Sequence, residues 1–146
     1  MITTFTSAIG RNVVDSATAD DVGSVKTIVV DQEGRRITGI QVAGRKRHAQ
    51  MVDWGDVDSF GEDVVLISSK RAIHEPVEER TADTVKGDVH YIGSRVLTVD
   101  GAELGRVKDV HFDTDTGEVI ALMSDSGRVE ADRIRSLGTY AAVVES

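Results

Sequence analysis

The chain has 146 residues, of which 40% are hydrophobic and 29% are charged, a balance typical of a globular protein. It contains no cysteine, which excludes disulfide bonds, iron–sulfur clusters, thiolate zinc sites and cysteine nucleophiles. The net charge of −8 argues against a nucleic-acid-binding protein, because phosphate neutralisation requires clustered Lys and Arg. No apolar run approaches the roughly twenty residues that span a bilayer, and no signal-peptide pattern is evident. We therefore expect a cytoplasmic protein without a transmembrane segment.

Each half of the chain contains a copy of the same sequence pattern. Val22–Lys26 recurs as Leu104–Lys108, and Val57–Gly61 recurs in the same order as Ile134–Gly138. The first copy is longer because of a short insertion near Ala43–Gln50. Several matches in one order predict an internal duplication.

Taken in chain order, each copy predicts the same series of short strands. A short strand leads into a β-branched strand, a polar turn that ends in glycine, and a return strand. A loop, a short strand, a single helical turn and a final strand follow. The predicted strands are Arg11–Val14, Val25–Val30, Arg36–Val42, Gln50–Asp53 and Val64–Ser68, with counterparts at Arg95–Val99, Val107–Phe112, Glu118–Ser124, Arg128–Ala131 and Ala141–Glu145.

A polar segment separates the two copies. Lys70–Asp88 contains the only proline, Pro76, and is mostly polar, so it is predicted to be a linker. We expect a first domain at residues 1–75, a linker at 76–88 and a second domain at 89–146. A short helix over Val77–Lys86 is the alternative for the linker.

The second copy carries the most specific motifs. Gly101–Val110 reads GAELGRVKDV, Asp113–Gly117 reads DTDTG, and Val129–Gly138 reads VEADRIRSLG. This pattern resembles the PRC-barrel family, which is named for the cytoplasmic domain of the photosynthetic reaction centre H subunit and is shared with a bacterial ribosome-maturation factor. The resemblance covers residues 6–72 and 89–146. It implies an all-β fold of two small antiparallel barrels in tandem, with little helix.

The resemblance also implies a function of binding or assembly, since the family has no shared catalytic residue. We therefore predict a non-enzymatic scaffolding module that docks onto a protein partner or a macromolecular assembly, with no cofactor. The alternative is a small-ligand or metal-ion sensor that uses the cleft between the two barrels. No pair among the four histidines has metal-ligand spacing. The apolar strand faces further predict that the halves pack as a pseudo-symmetric pair or that the chain forms a homodimer.

The insertion in the first copy carries a basic cluster. Arg45, Lys46, Arg47 and His48 follow one another in an otherwise acidic chain. A hairpin loop that presents them could bind an acidic peptide, a phosphate or an anionic lipid, and a lipid would give peripheral membrane contact. The alternative is a solvated loop whose charge is balanced by neighbouring aspartates.

The only tryptophan, Trp54, follows this loop. It aligns with Ala131 of the second copy, so the two copies differ at this position. A partner-binding anchor is one interpretation, because aromatic residues are enriched at binding hot spots. Core filling or packing between the two barrels is the other.

Overall fold

The computed structural model describes residues 1–44 and 47–146. Strands dominate these residues, which confirms the predicted β-rich fold. The helical elements among them are α1 (Phe5–Ala8), α2 (Glu79–Lys86) and single 3₁₀ turns at Trp54–Asp56, Lys70–Ala72 and Ala131–Arg133. The strands are β1 (Ile2–Thr4), β2 (Asn12–Asp15), β3 (Asp21–Val30), β4 (Ile37–Ala43), β5 (Gln50–Asp53), β6 (Val57–Phe60), β7 (Val64–Ile67), β8 (Arg95–Thr98), β9 (Glu103–Asp113), β10 (Val119–Ser124), β11 (Gly127–Glu130), β12 (Ile134–Leu137) and β13 (Ala141–Val144).

The two halves build sheets with the same strand order. The first half runs β5-β4-β3-β2-β7-β6, and the second runs β11-β10-β9-β8-β13-β12. Each strand of one path therefore has a counterpart in the other. This topology confirms the internal duplication that the sequence predicts.

One strand pair in each half departs from the predicted antiparallel arrangement. β2 pairs with β7, and β8 with β13, in parallel register. The chain reverses at each hairpin from β2 to β5, and a 3₁₀ turn then leads into β6 without pairing it to β5. The β6–β7 hairpin returns the chain beside β2 in the same direction, as a crossover connection does. The sheets are therefore mixed, and the prediction of purely antiparallel sheets is wrong.

Hydrogen bonds do not close either sheet into a barrel among the described residues. The strand paths end at β5 and β6 in the first half and at β11 and β12 in the second. The strands at these path ends form no ladder with each other, and a 3₁₀ turn connects them in each half. The barrels that the resemblance implies are thus not shown, whereas two sheets with unclosed strand paths are.

The N-terminal strand β1 belongs to the sheet of the second half. It pairs in antiparallel register with the end of β9, where Thr3 lies opposite Phe112. At the corresponding edge of β3, the Arg80 guanidinium from α2 donates to the carbonyl oxygens of Val30 at 2.9 Å and Asp31 at 2.7 Å. Buried backbone groups require such partners. The strand β1 in the second half and Arg80 in the first half thus supply hydrogen-bond partners to backbone groups at equivalent edges.

The two halves share one hydrophobic core. Phe112 of β9 is fully buried, and its ring centroid lies 5.5 Å from that of Phe5 and 5.3 Å from that of Phe60. Tyr91 extends the group, with its ring 5.9 Å from Phe5. These near-perpendicular aromatic contacts join residues of both halves in a single buried cluster.

The turns β3–β4 and β9–β10 meet at this junction in a reciprocal way. The Ile37 N–H donates to the Gly117 carbonyl at 2.8 Å, and the Val119 N–H donates to the Arg35 carbonyl at 2.7 Å. Each turn thus supplies a donor and an acceptor to the other. The halves are related as a pseudo-symmetric pair along these turns.

The segment predicted as a linker contains α2. The helix ends at Lys86 and is capped by Gly87, whose φ is 86° and whose N–H donates to the carbonyls of Asp83 and Thr84. Its Arg80 contacts fix it against β3. The structure therefore has the short helix that was the alternative for this segment. Among the described residues, no helix is long and apolar enough to cross a membrane.

Candidate functional site

The basic cluster lies on the connection between β4 and β5. Arg47 and His48 are exposed there, and Arg45 and Lys46 lie outside the described residues. The corresponding connection in the second half consists of Asp125 and Ser126 alone, because Ser124 pairs directly with Gly127. In the first half, the last pair between β4 and β5 is Val42 with Gln50, and Ala43 still pairs with Ser24 of β3. The connection is thus longer in the first half, and Arg47 and His48 lie on its exposed part.

A cleft of about 270 Å³ lies beneath this loop. The polar side chains of Lys26, Gln41, Arg47 and His48 line part of it, and two of them, Lys26 and Arg47, are cationic. The Gln41 side chain is 5% exposed, and its Oε1 atom has no hydrogen-bond partner among the described residues. A buried amide oxygen without a donor is costly, so a water molecule or ligand group would stabilise it.

His74 lies close to the basic loop and ties the segment after β7 to the edge of β5. The Met51 N–H donates to the His74 carbonyl at 2.7 Å, and the His74 N–H donates to the Met51 carbonyl at 3.0 Å. The His74 ring contacts the Glu75 carbonyl through Nδ1 at 2.7 Å and the Asp53 carboxylate through Nε2 at 3.0 Å. A doubly protonated ring can donate to both acceptors.

The surroundings of His74 favour its charged form. The hydrogen bond to the Glu75 carbonyl is the largest cause that raises its pKa above the ordinary value of 6.5, and the Asp53 and Asp56 carboxylates act in the same direction. Partial burial opposes them. The net pKa is raised, so the contacts of this ring hold best when it carries its proton.

We expect a His74→Gln substitution to cost more stability at acidic than at alkaline pH. Because the folded pKa is raised, the contribution of the charged ring is fully present below the ordinary value of 6.5 and is lost as pH rises through the folded pKa. Urea unfolding of the wild type and the variant at about pH 5.5 and about pH 8.5 measures the difference. Asp53→Asn is the companion variant and should reduce the pH dependence. An equal cost at both pH values would contradict the assignment.

Trp54 lies at the junction between the halves. Its ring stacks on Phe60 at a centroid distance of 6.0 Å, and it packs partly buried against the shared core. The Gly117 backbone approaches so closely that a Cβ atom built there would be 2.8 Å from the indole Cε2. The contacts that the structure gives Trp54 are thus those of packing between the halves. Its role as a partner-binding anchor stays a prediction.

A second cleft, of about 180 Å³, lies where α2 and the two halves meet. It is mainly apolar, and Phe5, Ile28, Tyr91 and Leu137 form part of its lining. Burial raises the pKa of the Tyr91 phenol, which stays neutral and donates to the Gly34 carbonyl at 2.7 Å. This is the cleft between the halves that the sensor alternative requires. Within residues 1–44 and 47–146, no cluster of three His or carboxylate side chains is arranged to hold a metal ion.

Asp15 is a buried carboxylate with a full set of partners. It is 1% exposed and accepts hydrogen bonds from the N–H groups of Ala17, Thr18 and Lys70. These bonds hold the end of β2 against the 3₁₀ turn at Lys70–Ala72. Asp15 is therefore explained by turn structure and needs no chemical role.

Sequence reasoning missed His74, Asp53 and Gln41 as parts of this site. His74 and Asp53 are far apart in sequence, and only the pairing of the His74 backbone with β5 brings them together. Gln41 has a weak signal, because it stands where the second copy has Met123, opposite corresponding residues of the edge strands. A polar residue at a position where the other copy has an apolar residue shows that the two copies differ in side-chain chemistry there.

Comparison with protein-family models agrees with this topology. The model of the PRC-barrel domain matches the chain twice, over residues 4–73 and 84–140. A comparison with curated proteins gives no match. The two matched segments hold all the strands of the two sheets except β1 and β13, which lie partly or wholly outside them. The chain therefore belongs to the PRC-barrel domain family and carries two copies of that domain.

Proposed function

We propose that this protein is a non-enzymatic docking module that binds an acidic segment of a protein partner through its basic loop. The loop is defined by Arg45, Lys46, Arg47 and His48. Domains of this family are generally protein-interaction modules. The single observation that carries the proposal is the divergence of the copies at the β4–β5 connection, where the second copy keeps only a tight turn.

The shared features of the two copies account for the fold, so a role is expected where they differ. The basic loop concentrates positive charge on a chain whose net charge is −8. Such a patch would attract acidic surfaces. Glu75, whose carboxylate lies 3.9 Å from the His48 ring, is an acidic neighbour of the loop within the chain. We take each of the two sheets to be the equivalent of one family barrel. We further propose that the docking takes place in the cytoplasm.

Changing Arg45, Lys46 and Arg47 together to serine is expected to abolish capture of the partner. Immobilised wild-type and variant proteins are compared in a native pull-down with mass spectrometry. The matched control changes Lys86, Lys108 and Arg135 to serine, since all three are exposed and the loss of charge is the same. The proposal requires that the loop variant loses proteins which the wild type and the control both retain.

Three results would decide against this function. Capture that survives in the loop variant would remove the loop from the interface. If the loop variant and the charge-matched control lost partner capture equally, the net charge of the protein would account for binding and the loop would not. Stabilisation of the protein by small molecules in a thermal-shift screen, with no partner captured, would favour the sensor and its apolar cleft.

A further inference from the structure

The apolar cleft where α2 and the two halves meet has two lining residues that are smaller than their counterparts in the duplication. Val30 has in the first half the position of Phe112 in the second, because each pairs with the first residue of the following strand. Leu137 has in the second half the position of Phe60 in the first, because each pairs within the last hairpin of its half. The cleft therefore has a valine and a leucine where the equivalent junction has two phenylalanines.

The two phenylalanines show what fills the equivalent space. The ring centroids of Phe60 and Phe112 lie 5.3 Å apart in an edge-to-face contact, and both side chains are buried. At the cleft, Tyr91 fills part of the space, and its hydroxyl donates to the Gly34 carbonyl at 2.7 Å. A volume of about 180 Å³ remains beside it. An apolar cavity of about 150 Å³ is large enough to bind benzene, so the cleft has room for one aromatic ring.

Lys26 supplies a positive charge at this cleft. Its side chain is exposed and forms part of the lining, and it is the only lysine or arginine among the described residues that line the cleft. Its counterpart Lys108 forms an ion pair with the Asp125 carboxylate at 3.5 Å. Within the described part of the chain, Lys26 has no ion pair. A ligand with a single negative charge therefore matches the cleft.

We propose that this cleft binds a small aromatic carboxylate. The ring packs among Phe5, Ile28 and Leu137, and the carboxylate lies at the rim beside Lys26. Burial of the ring gives most of the affinity, and the ion pair orients the ligand. Clefts for drug-sized ligands have roughly 300–1,000 Å³, so the smaller volume limits the occupant to one ring with a short chain. The site uses none of residues 45–48, so this proposal and the docking proposal can each fail alone.

The test uses 3-phenylpropionate, which is titrated into the ¹⁵N-labelled full chain while the amide resonances are followed. We expect saturable binding with a dissociation constant of about 0.1–1 mM. The largest shifts should occur at Ile28, Thr84 and Tyr91, which line the cleft. Propionate lacks the ring and should not bind. The alcohol 3-phenyl-1-propanol lacks the charge and should bind about twofold to fivefold more weakly than the acid.

Variants test the two parts of the site separately. Lys26→Met should weaken binding of the acid by about twofold to fivefold, whereas Lys108→Met, the matched change in the second copy, should not. Val30→Phe introduces the ring that Phe112 supplies at the equivalent junction, and it should abolish binding. Leu137→Phe is a second cleft-filling variant, and the amide spectrum of each variant shows whether it is folded. If neither folds, the comparison of the two lysine variants decides.

Other outcomes overturn the proposal. Absence of saturable binding, or shifts centred away from the cleft, would exclude this ligand at this site. A folded Val30→Phe or Leu137→Phe protein that binds as the wild type does would exclude the cleft. Equal weakening by Lys26→Met and Lys108→Met would reduce the role of Lys26 to net charge. If the alcohol bound as tightly as the acid, an uncharged aromatic group, such as a phenylalanine side chain of a protein partner, would be the occupant.

Discussion

Phe112→Ala is expected to lower the free energy of unfolding by about 3–5 kcal/mol and to destabilise both halves together. Phe112 is fully buried, and its ring contacts Phe5 and Phe60 of the first half. Removing it leaves a cavity in the shared core, where the surrounding rings cannot fully collapse. Urea unfolding followed by Trp54 fluorescence and by hydrogen exchange of β4 and β10 amides would measure the cost in each half.

The control for this variant is Val77→Ala, because the Val77 side chain is 84% exposed. It should change stability by no more than about 0.5 kcal/mol. Phe112→Leu retains most of the volume and should cost less than the alanine variant. If β10 lost protection at low urea while β4 remained protected, the halves would unfold separately and the shared core would not couple them.

The sequence predicts local structure well because the duplication supplies two readings of each element. The β-branched runs Val25–Val30 and Val107–Phe112 lie within β3 and β9, and the turns that begin at Asp31 and Asp113 are where the pattern places them. The 3₁₀ turns after β5 and β11 were also expected as helical turns. Hydrophobic periodicity and the residue preferences of turns are local properties, so they can be recognised in the sequence without tertiary context.

Long-range pairing is what the local pattern cannot supply. β1 pairs with β9, far along the chain, although nothing in its own sequence marks the second half as its partner. The parallel β2–β7 pair likewise depends on how the 3₁₀ turn redirects the chain. The strands β6 and β12 are short and poorly alternating, and they gain their ladders from β7 and β13. Tertiary context overrides weak local preference in each case.

The candidate site, too, has a part that the sequence predicts and a part that depends on long-range pairing. The sequence predicts the basic residues because they break its charge pattern; Arg47 and His48 are exposed in the structure, and their binding role stays a prediction. The His74 contacts were not found, because the ring reaches Asp53 only through the pairing of the His74 backbone with β5. Among the described residues, the counterpart strand β11 of the second half has no such bridge.

Gly117→Ala is expected to destabilise the protein by about 1–3 kcal/mol more than Gly101→Ala. Both glycines have positive φ, 77° and 86°, so each alanine carries a similar backbone strain of about 1 kcal/mol. A Cβ atom at Gly117 would lie 2.8 Å from the Trp54 ring, whereas none of the neighbours of Gly101 lies within 4 Å of such an atom. Only the first substitution should therefore force the two halves apart at their junction.

A double-mutant cycle separates this steric contact from backbone strain. In a Trp54→Ala background the indole is absent, so Gly117→Ala should cost no more than Gly101→Ala does. Denaturant unfolding of the single and double variants gives the coupling free energy between Trp54 and Gly117. A coupling near zero would contradict the steric account, because it would mean that the junction accommodates the added methyl group without cost.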